Sequence, residues 1–311
     1  MFERLPASIQ VVEVGPRDGL QNEAATISTA DKLRLIEALA QAGLSQIEIT
    51  SFVSPKWIPQ LADGPELAKQ VMQDPALAGV NTSALVPNLK GYEGAKTAGL
   101  KQINLFMSAS ESHSKRNINK SISEALATMA EVAAVAKADG KRVRCYVSTV
   151  FACPYEGKIE PQASVDICKK LLAMGVDEIS LGDTIGAATP NQVTTLIAML
   201  SKEMSLSKLA LHFHDTRGTA LANVVAGIES GITIFDASVG GLGGCPYAPG
   251  ASGNLATEDL IYMLDGMGIK TGVDLEKLTN AGVLAQEILG RTLPGRYLKA
   301  RLAERAQTCK Q

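Results

Sequence analysis

Apolar residues in this chain follow two rhythms that alternate along its length. Short runs rich in Val, Ile and Leu, at 9–15, 46–52, 80–86, 102–109, 142–150, 178–184, 209–216 and 234–240, read as buried β-strands. Between them, apolar positions three and four apart at 29–43, 66–73, 123–139, 161–174, 190–204 and 220–230 predict amphipathic helices. Thr29 is the expected cap of the first helix and Gly43 its stop.

The punctuation repeats. Ala42-Gly43-Leu44, Ala98-Gly99-Leu100, Met174-Gly175-Val176 and Ser230-Gly231-Ile232 each read as a helix stop that leads straight into a strand. Eight strand–helix units predict a (β/α)8 TIM barrel, with an open doubly wound sheet as the rival topology. No Gly-x-Gly-x-x-Gly follows the first strand, which weakens the dinucleotide-binding version of that rival. A single catalytic domain over 1–311 is therefore expected. Leu275, Leu278, Val283, Leu284 and Ile288 keep helical spacing, so 273–311 is read as a helical C-terminal extension packed on the barrel or on a neighbouring subunit.

Composition narrows the partners. The chain has 311 residues and a hydrophobic fraction of 46%, enough for one large core, and its net charge of −2 gives no electrostatic reason to expect nucleic acid or an anionic membrane. Its five cysteines are odd in number and form no Cys-x-x-Cys pair, which argues against a disulfide framework or structural zinc and fits a reducing compartment. The first residues lack a signal-peptide core, and no apolar run approaches a membrane span, so a soluble cytoplasmic protein is expected.

Candidate chemistry gathers at the carboxyl ends of the predicted strands, where a barrel of this kind builds its site. Only three histidines are present, and two of them, His212 and His214, alternate with Leu211 and Phe213 in the seventh strand. Residues i and i+2 of a strand share a face, so this pair reads as metal ligands. Arg17, Asp18 and Gln21 follow the first strand; Glu48 and Ser51 lie in the second; Ser180, Asp183 and Thr184 end the sixth. A glycine-rich loop carrying Cys245 follows the eighth, suited to a lid or to close approach of backbone to ligand, and it lacks the Gly-Lys-Ser/Thr ending of a P-loop. His113 is expected in a surface loop.

These pieces resemble a known pattern. Gly15-Pro-Arg-Asp-Gly-Leu-Gln-Asn-Glu23, Glu48-Ile-Thr-Ser-Phe-Val-Ser-Pro-Lys-Trp57, Cys153-Pro-Tyr-Glu-Gly157, Gly182-Asp-Thr184, His212-Phe-His214 and Gly241-Leu-Gly-Gly-Cys-Pro246 with Asn254 are similar to the 3-hydroxy-3-methylglutaryl-CoA lyase family. That family sits within a wider group of metal-dependent barrel enzymes that includes isopropylmalate and homocitrate synthases. Arg17-Asp18-Gly19 and His214-Asp215-Thr216 favour the lyase branch over the synthases.

The resemblance implies cleavage of 3-hydroxy-3-methylglutaryl-CoA to acetyl-CoA and acetoacetate. The alternatives are a lyase for a related branched 3-hydroxyglutaryl-CoA, or a Claisen-type acyltransferase condensing acetyl-CoA with a 2-oxo acid. It also implies that Asp18, His212, His214 and Asn254 bind a divalent cation, Mg2+ or Mn2+, although the donor types also suit Zn2+. Arg17 would stabilise an enolate, Cys245, His212 and Asp18 are acid/base candidates, and Glu48 and Asp183 would orient the site. Gln21, Ser51, Ser180 and Thr184 would line the acyl pocket, and Asn117, with Lys115 and Arg116, would meet CoA. A homo-oligomer, in its simplest form a dimer, is the assembly the family suggests.

Overall fold

The computed structural model describes residues 5–244 and 253–308. The eight apolar runs form eight strands: β1 (Gln10–Glu13), β2 (Gln46–Ser51), β3 (Asn81–Leu85), β4 (Gln102–Ser108), β5 (Arg142–Ser148), β6 (Glu178–Asp183), β7 (Leu209–Phe213) and β8 (Ile234–Ala237). Each pairs in parallel with its neighbours in sequence, and β1 closes the ring by pairing with β8, with Gln10 beside Ile234 and Glu13 beside Ala237. That closure excludes the open sheet. Several strands stop short of their expected ends on the carboxyl side: β7 ends at Phe213 and β6 at Asp183. The polar residues beyond them leave the ladder and turn into the loops that hold the site.

Helices pack around the barrel: α1 (Thr29–Gln41), α2 (Gly64–Gln73), α3 (Leu89–Thr97), α4 (Glu111–Ile118), α5 (Ile122–Ala138), α6 (Pro161–Ala173), α7 (Pro190–Leu200), α8 (Ala220–Glu229) and α9 (Thr257–Gly266). α1 shows how the pattern becomes packing. Lys32, Leu35, Ile36 and Leu39, at helical spacing, are buried, and truncating a fully buried leucine of this kind typically costs about 2–5 kcal/mol. Its cap is Ser28 rather than Thr29: the Ser28 hydroxyl accepts the Asp31 amide at 3.1 Å, while Thr29 begins the helix and donates its hydroxyl to Asp63.

All four glycines of the repeated helix stop have a left-handed φ, between +88° and +98°. At Gly43 a side chain would also meet the Gly272 carbonyl at 2.3 Å, so only glycine fits. After α9 come α10 (Leu275–Leu289), which packs on α1 and α9, and α11 (Arg296–Thr308), which packs on α9 and α10. Among the described residues no helix is long and apolar enough to cross a membrane. The sequence marks the end of α3 by Ala98-Gly99-Leu100 but gives no range for it, for α4 or for α9, and α4 brings a correction: His113 lies buried on that helix instead of in a surface loop.

Candidate active site

A polar network occupies the barrel where apolar layers would be the default. Along β5, Arg144 and Tyr146 share a face; along β6, Glu178 and Ser180 do; and all four are buried. Their neighbours in register continue the pattern, because Arg144 sits beside Glu178, Tyr146 beside Ser180, and His212 beside Asp236. A buried charge must be paired. Arg144 Nε donates to Glu178 at 2.5 Å and its Nη2 to Asp236 at 2.6 Å.

Above this layer the chain leaves β1 in a wide helical turn, Gly15–Gly19, in which the Val14 carbonyl accepts the Asp18 and Gly19 amides. Glu13 fixes its base. One Glu13 oxygen accepts the Gly15 and Val239 amides at 2.8 and 2.9 Å, and the other accepts the Thr257 hydroxyl, so the same carboxylate ties this turn to the start of the glycine-rich segment. The turn presents Arg17 and Asp18. Arg17 Nε donates to Glu48 at 2.5 Å and its Nη1 to Asp18 at 2.5 Å; the guanidinium lies 5.2 Å from the Tyr146 ring centroid. Burial would lower its pKa, but Glu48 and Asp18 hold it above the normal guanidinium range, so Arg17 is a fixed cation.

Asp18, His212 and His214 converge, with one potential ligand atom from each lying within 4.8 Å of the others, the one such cluster among the described residues. Asn254 joins them: its Nδ2 donates to Asp18 at 2.9 Å and to the Leu242 carbonyl at 3.1 Å. Burial acts to raise the Asp18 pKa, but the charges of Arg17 and the two histidines together with the Asn254 amide hold it at about 2. Burial and the neighbouring His212 lower His214 to about 4, leaving a neutral imidazole, the form that ligates metal. Burial acts against protonation of His212 too, yet the hydrogen bond and charge of Asp236, with Asp18 behind them, raise it above its usual value.

Two buried polar atoms in this cluster have no hydrogen-bond partner, His214 Nδ1 and Asn254 Oδ1. Such orphans are unusual in a folded interior. The amide oxygen and one nitrogen of each neutral imidazole carry a lone pair, so the donor set of one carboxylate, two imidazoles and one amide oxygen fits a divalent cation.

The cluster opens into a cavity of about 580 Å³ lined by Arg17, Asp18, His212 and His214, and further out by Val53, Trp57, Phe106, His113 and Met129. The remaining sequence candidates divide. Gln21 lines the cavity and donates to Asp18 at 3.2 Å; Thr184 and Asn117 line it as well. Ser51 and Ser180 do not. The Ser51 hydroxyl accepts the Val53 amide, and the Ser180 hydroxyl donates to Asp236, so neither stands where the acyl pocket was expected. Asp183 spends both oxygens on the Ala187 and Ala188 amides, bracing the turn after β6.

Glu48 is wholly enclosed and accepts from Arg17, Asn104 and Tyr146. Lys115 pairs with Glu111 at 3.2 Å and Arg116 lies over the Tyr155 ring, both away from the cavity lining. Cys245 lies outside the described residues. Sequence reasoning passed over Asp236, Arg144 and Tyr146; the available signal was a charged residue inside an otherwise apolar barrel strand, Ile-Phe-Asp-Ala above all.

Comparison with known proteins agrees with the barrel fold. The HMGL-like family model matches residues 8–284. A Bacillus subtilis hydroxymethylglutaryl-CoA lyase is 51% identical over 294 residues, covering 94% of this chain and 97% of that protein. A crystal structure of the Pseudomonas aeruginosa hydroxymethylglutaryl-CoA lyase superposes with a TM-score of 0.93 at 48% identity, covering 98% of this chain and 100% of the other. An Acinetobacter baumannii HMG-CoA lyase solved with coenzyme A and 3-methylmalate superposes with a TM-score of 0.89 at 39% identity, covering 94% and 95%.

Proposed function

The chain belongs to the HMGL-like family, and on that premise we propose that it is a divalent-cation-dependent carbon–carbon lyase that splits (S)-3-hydroxy-3-methylglutaryl-CoA into acetyl-CoA and acetoacetate. The observation that carries this reading is the fixed Arg17 cation standing beside the Asp18, His212 and His214 cluster on the wall of one cavity. Asp18, His212, His214 and Asn254 would hold the cation, with Mg2+ or Mn2+ the ions implied by the family resemblance and a donor set that also suits Zn2+. When bound, the cation supplies Lewis acidity that lowers the pKa of a hydroxyl and offsets negative charge.

In the reaction the C3 hydroxyl gives up its proton to solvent water in the cavity, the C3 carbonyl forms as the C2–C3 bond breaks, and the bonding pair passes to C2 as a thioester enolate. Protonation at C2 completes acetyl-CoA. Arg17 is suited to the enolate oxygen, because its charge is permanent and its geometry is set in advance by Glu48 and Asp18. Asp18, held at about 2, is a poor base, so its part is to anchor charge. Cys245 is the residue we assign to protonating C2; it follows Gly244, which lines the cavity. The acyl-CoA arm would run outward past Asn117 and Lys120.

Chelator-stripped protein supplied with Mn2+ should release acetoacetate and acetyl-CoA in equal amounts from the substrate. Release of free CoA from acetyl-CoA plus a 2-oxo acid, with no acetoacetate from the lyase substrate, would sink this reading in favour of a condensing enzyme.

A further inference from the structure

Asp236 sits beside His212 in the register of β7 and β8, wholly buried, and its carboxylate receives three donors. One oxygen takes Arg144 Nη2 at 2.6 Å; the other takes the Ser180 hydroxyl at 2.7 Å and faces His212 Nδ1 at 3.3 Å. Paired with a buried guanidinium, Asp236 is an acceptor and nothing else. His212 Nδ1 must therefore carry the hydrogen, which leaves Nε2 with a free lone pair.

We propose that Asp236 is a positioning residue that fixes the His212 tautomer, with Arg144 locking the orientation of Asp236, so that His212 offers Nε2 to the cation. This rests on the cation site argued above and adds to it a specific requirement. Carboxylates that receive the second N–H of a metal-ligating histidine act in this way, and their loss typically weakens metal binding about 10–100-fold.

The geometry makes Asp236→Asn a sharp test. An amide at 236 has one oxygen and one NH2. The NH2 cannot face the Arg144 cation, so the oxygen stays on that side and the NH2 turns toward Ser180 and His212. The Ser180 hydroxyl can rotate to accept, but His212 Nδ1 can accept only if its hydrogen moves to Nε2, the nitrogen meant for the cation. A substitution of nearly unchanged volume would thus hold the imidazole in the wrong tautomer.

The chain has three histidines, so 15N-histidine NMR of the metal-free protein at pH 9 can be assigned with single His variants. The wild type should show His212 as the Nδ1–H tautomer, and Asp236→Asn should show Nε2–H together with a Mn2+ affinity lowered about 10–100-fold. An Nε2–H tautomer in the wild type overturns the proposal without any variant having to fold. So does an Asp236→Asn protein that keeps Nδ1–H and binds Mn2+ within about two-fold of wild type. A merely structural Asp236 would shift the unfolding midpoint and leave the tautomer alone. His214→Ala separates the two layers of the argument: if it binds Mn2+ like the wild type, the cation site is what fails, and not the role of Asp236.

Discussion

Glu48→Gln is the substitution that most directly interrogates how Arg17 is held. Glu48 is fully buried and accepts Arg17 Nε at 2.5 Å, Asn104 Nδ2 at 2.7 Å and the Tyr146 hydroxyl at 3.0 Å. Glutamine can keep its oxygen toward Arg17 and turn its NH2 toward Asn104, whose amide then has to flip. The packing survives and the charge does not.

At an effective dielectric constant of 20, a pair of unit charges this close interacts by roughly 6–7 kcal/mol before desolvation is counted. Removing one partner of a buried pair leaves net losses of about 3–5 kcal/mol. Arg17 keeps Asp18 at 2.5 Å, so the low end, about 3 kcal/mol, is expected. If that loss falls on a guanidinium whose task is to meet the enolate, kcat/KM drops about 100-fold. Initial rates at saturating Mn2+, read beside urea unfolding, separate the two destinations of that energy. Turnover within about three-fold of wild type, with an unchanged urea midpoint, would refute the reasoning that Glu48 holds Arg17 in its working position.

Other outcomes follow from the same contacts. His214→Ala removes the buried imidazole nitrogen that lacks a partner, so metal occupancy after dialysis should collapse while the metal-free unfolding midpoint stays level or rises; elemental analysis and a thermal melt check both. His214 is held at about 4, below its unfolded value of about 6.5, so its contribution to metal-free stability is complete above about pH 6.5 and is lost as the pH falls toward 4. His214→Gln should flatten that limb by up to about 1.4 kcal/mol per pH unit in urea titrations, and an unchanged slope would contradict the shift.

Glu258 acts in the opposite direction. Burial raises it to about 8, so its contribution to stability falls as the pH rises from about 4.5 toward 8, and Glu258→Gln should match the wild type near pH 5 yet exceed it near pH 9. Gly43→Ala, with φ at +98° and a Cβ placed 2.3 Å from the Gly272 carbonyl, should lower stability by at least about 1–2 kcal/mol, seen as a shifted urea midpoint.

The architecture was legible because strands buried on both faces and helices buried on one leave different apolar periods, and because the four glycine stops mark where one becomes the other. Asp18, His212 and His214 were legible too: alternation on β7 puts both imidazoles on one face, and barrel topology brings the turn after β1 to the same mouth. The barrel's interior charges were not. Arg144 and Asp236 are 92 residues apart, and nothing local shows that they meet, since only the closed ring sets β5, β6 and β8 around one axis.

Ser51 and Ser180 were misplaced for a related reason. Each lies near the carboxyl end of its strand, but a hydroxyl there can serve its own backbone or a neighbouring carboxylate as readily as a ligand, and sequence spacing does not distinguish these uses. The helix α4 escaped because its sequence is mostly polar, with His113 and Ser114 its only buried residues.

Turnover is proposed to depend on a cation held by Asp18, His212, His214 and Asn254. The most direct test is to titrate Mn2+ into chelator-stripped protein and measure occupancy and acetoacetate release in the same samples. Both should rise together and saturate at one cation per chain. Full turnover with the site empty, or a filled site with none, would contradict it.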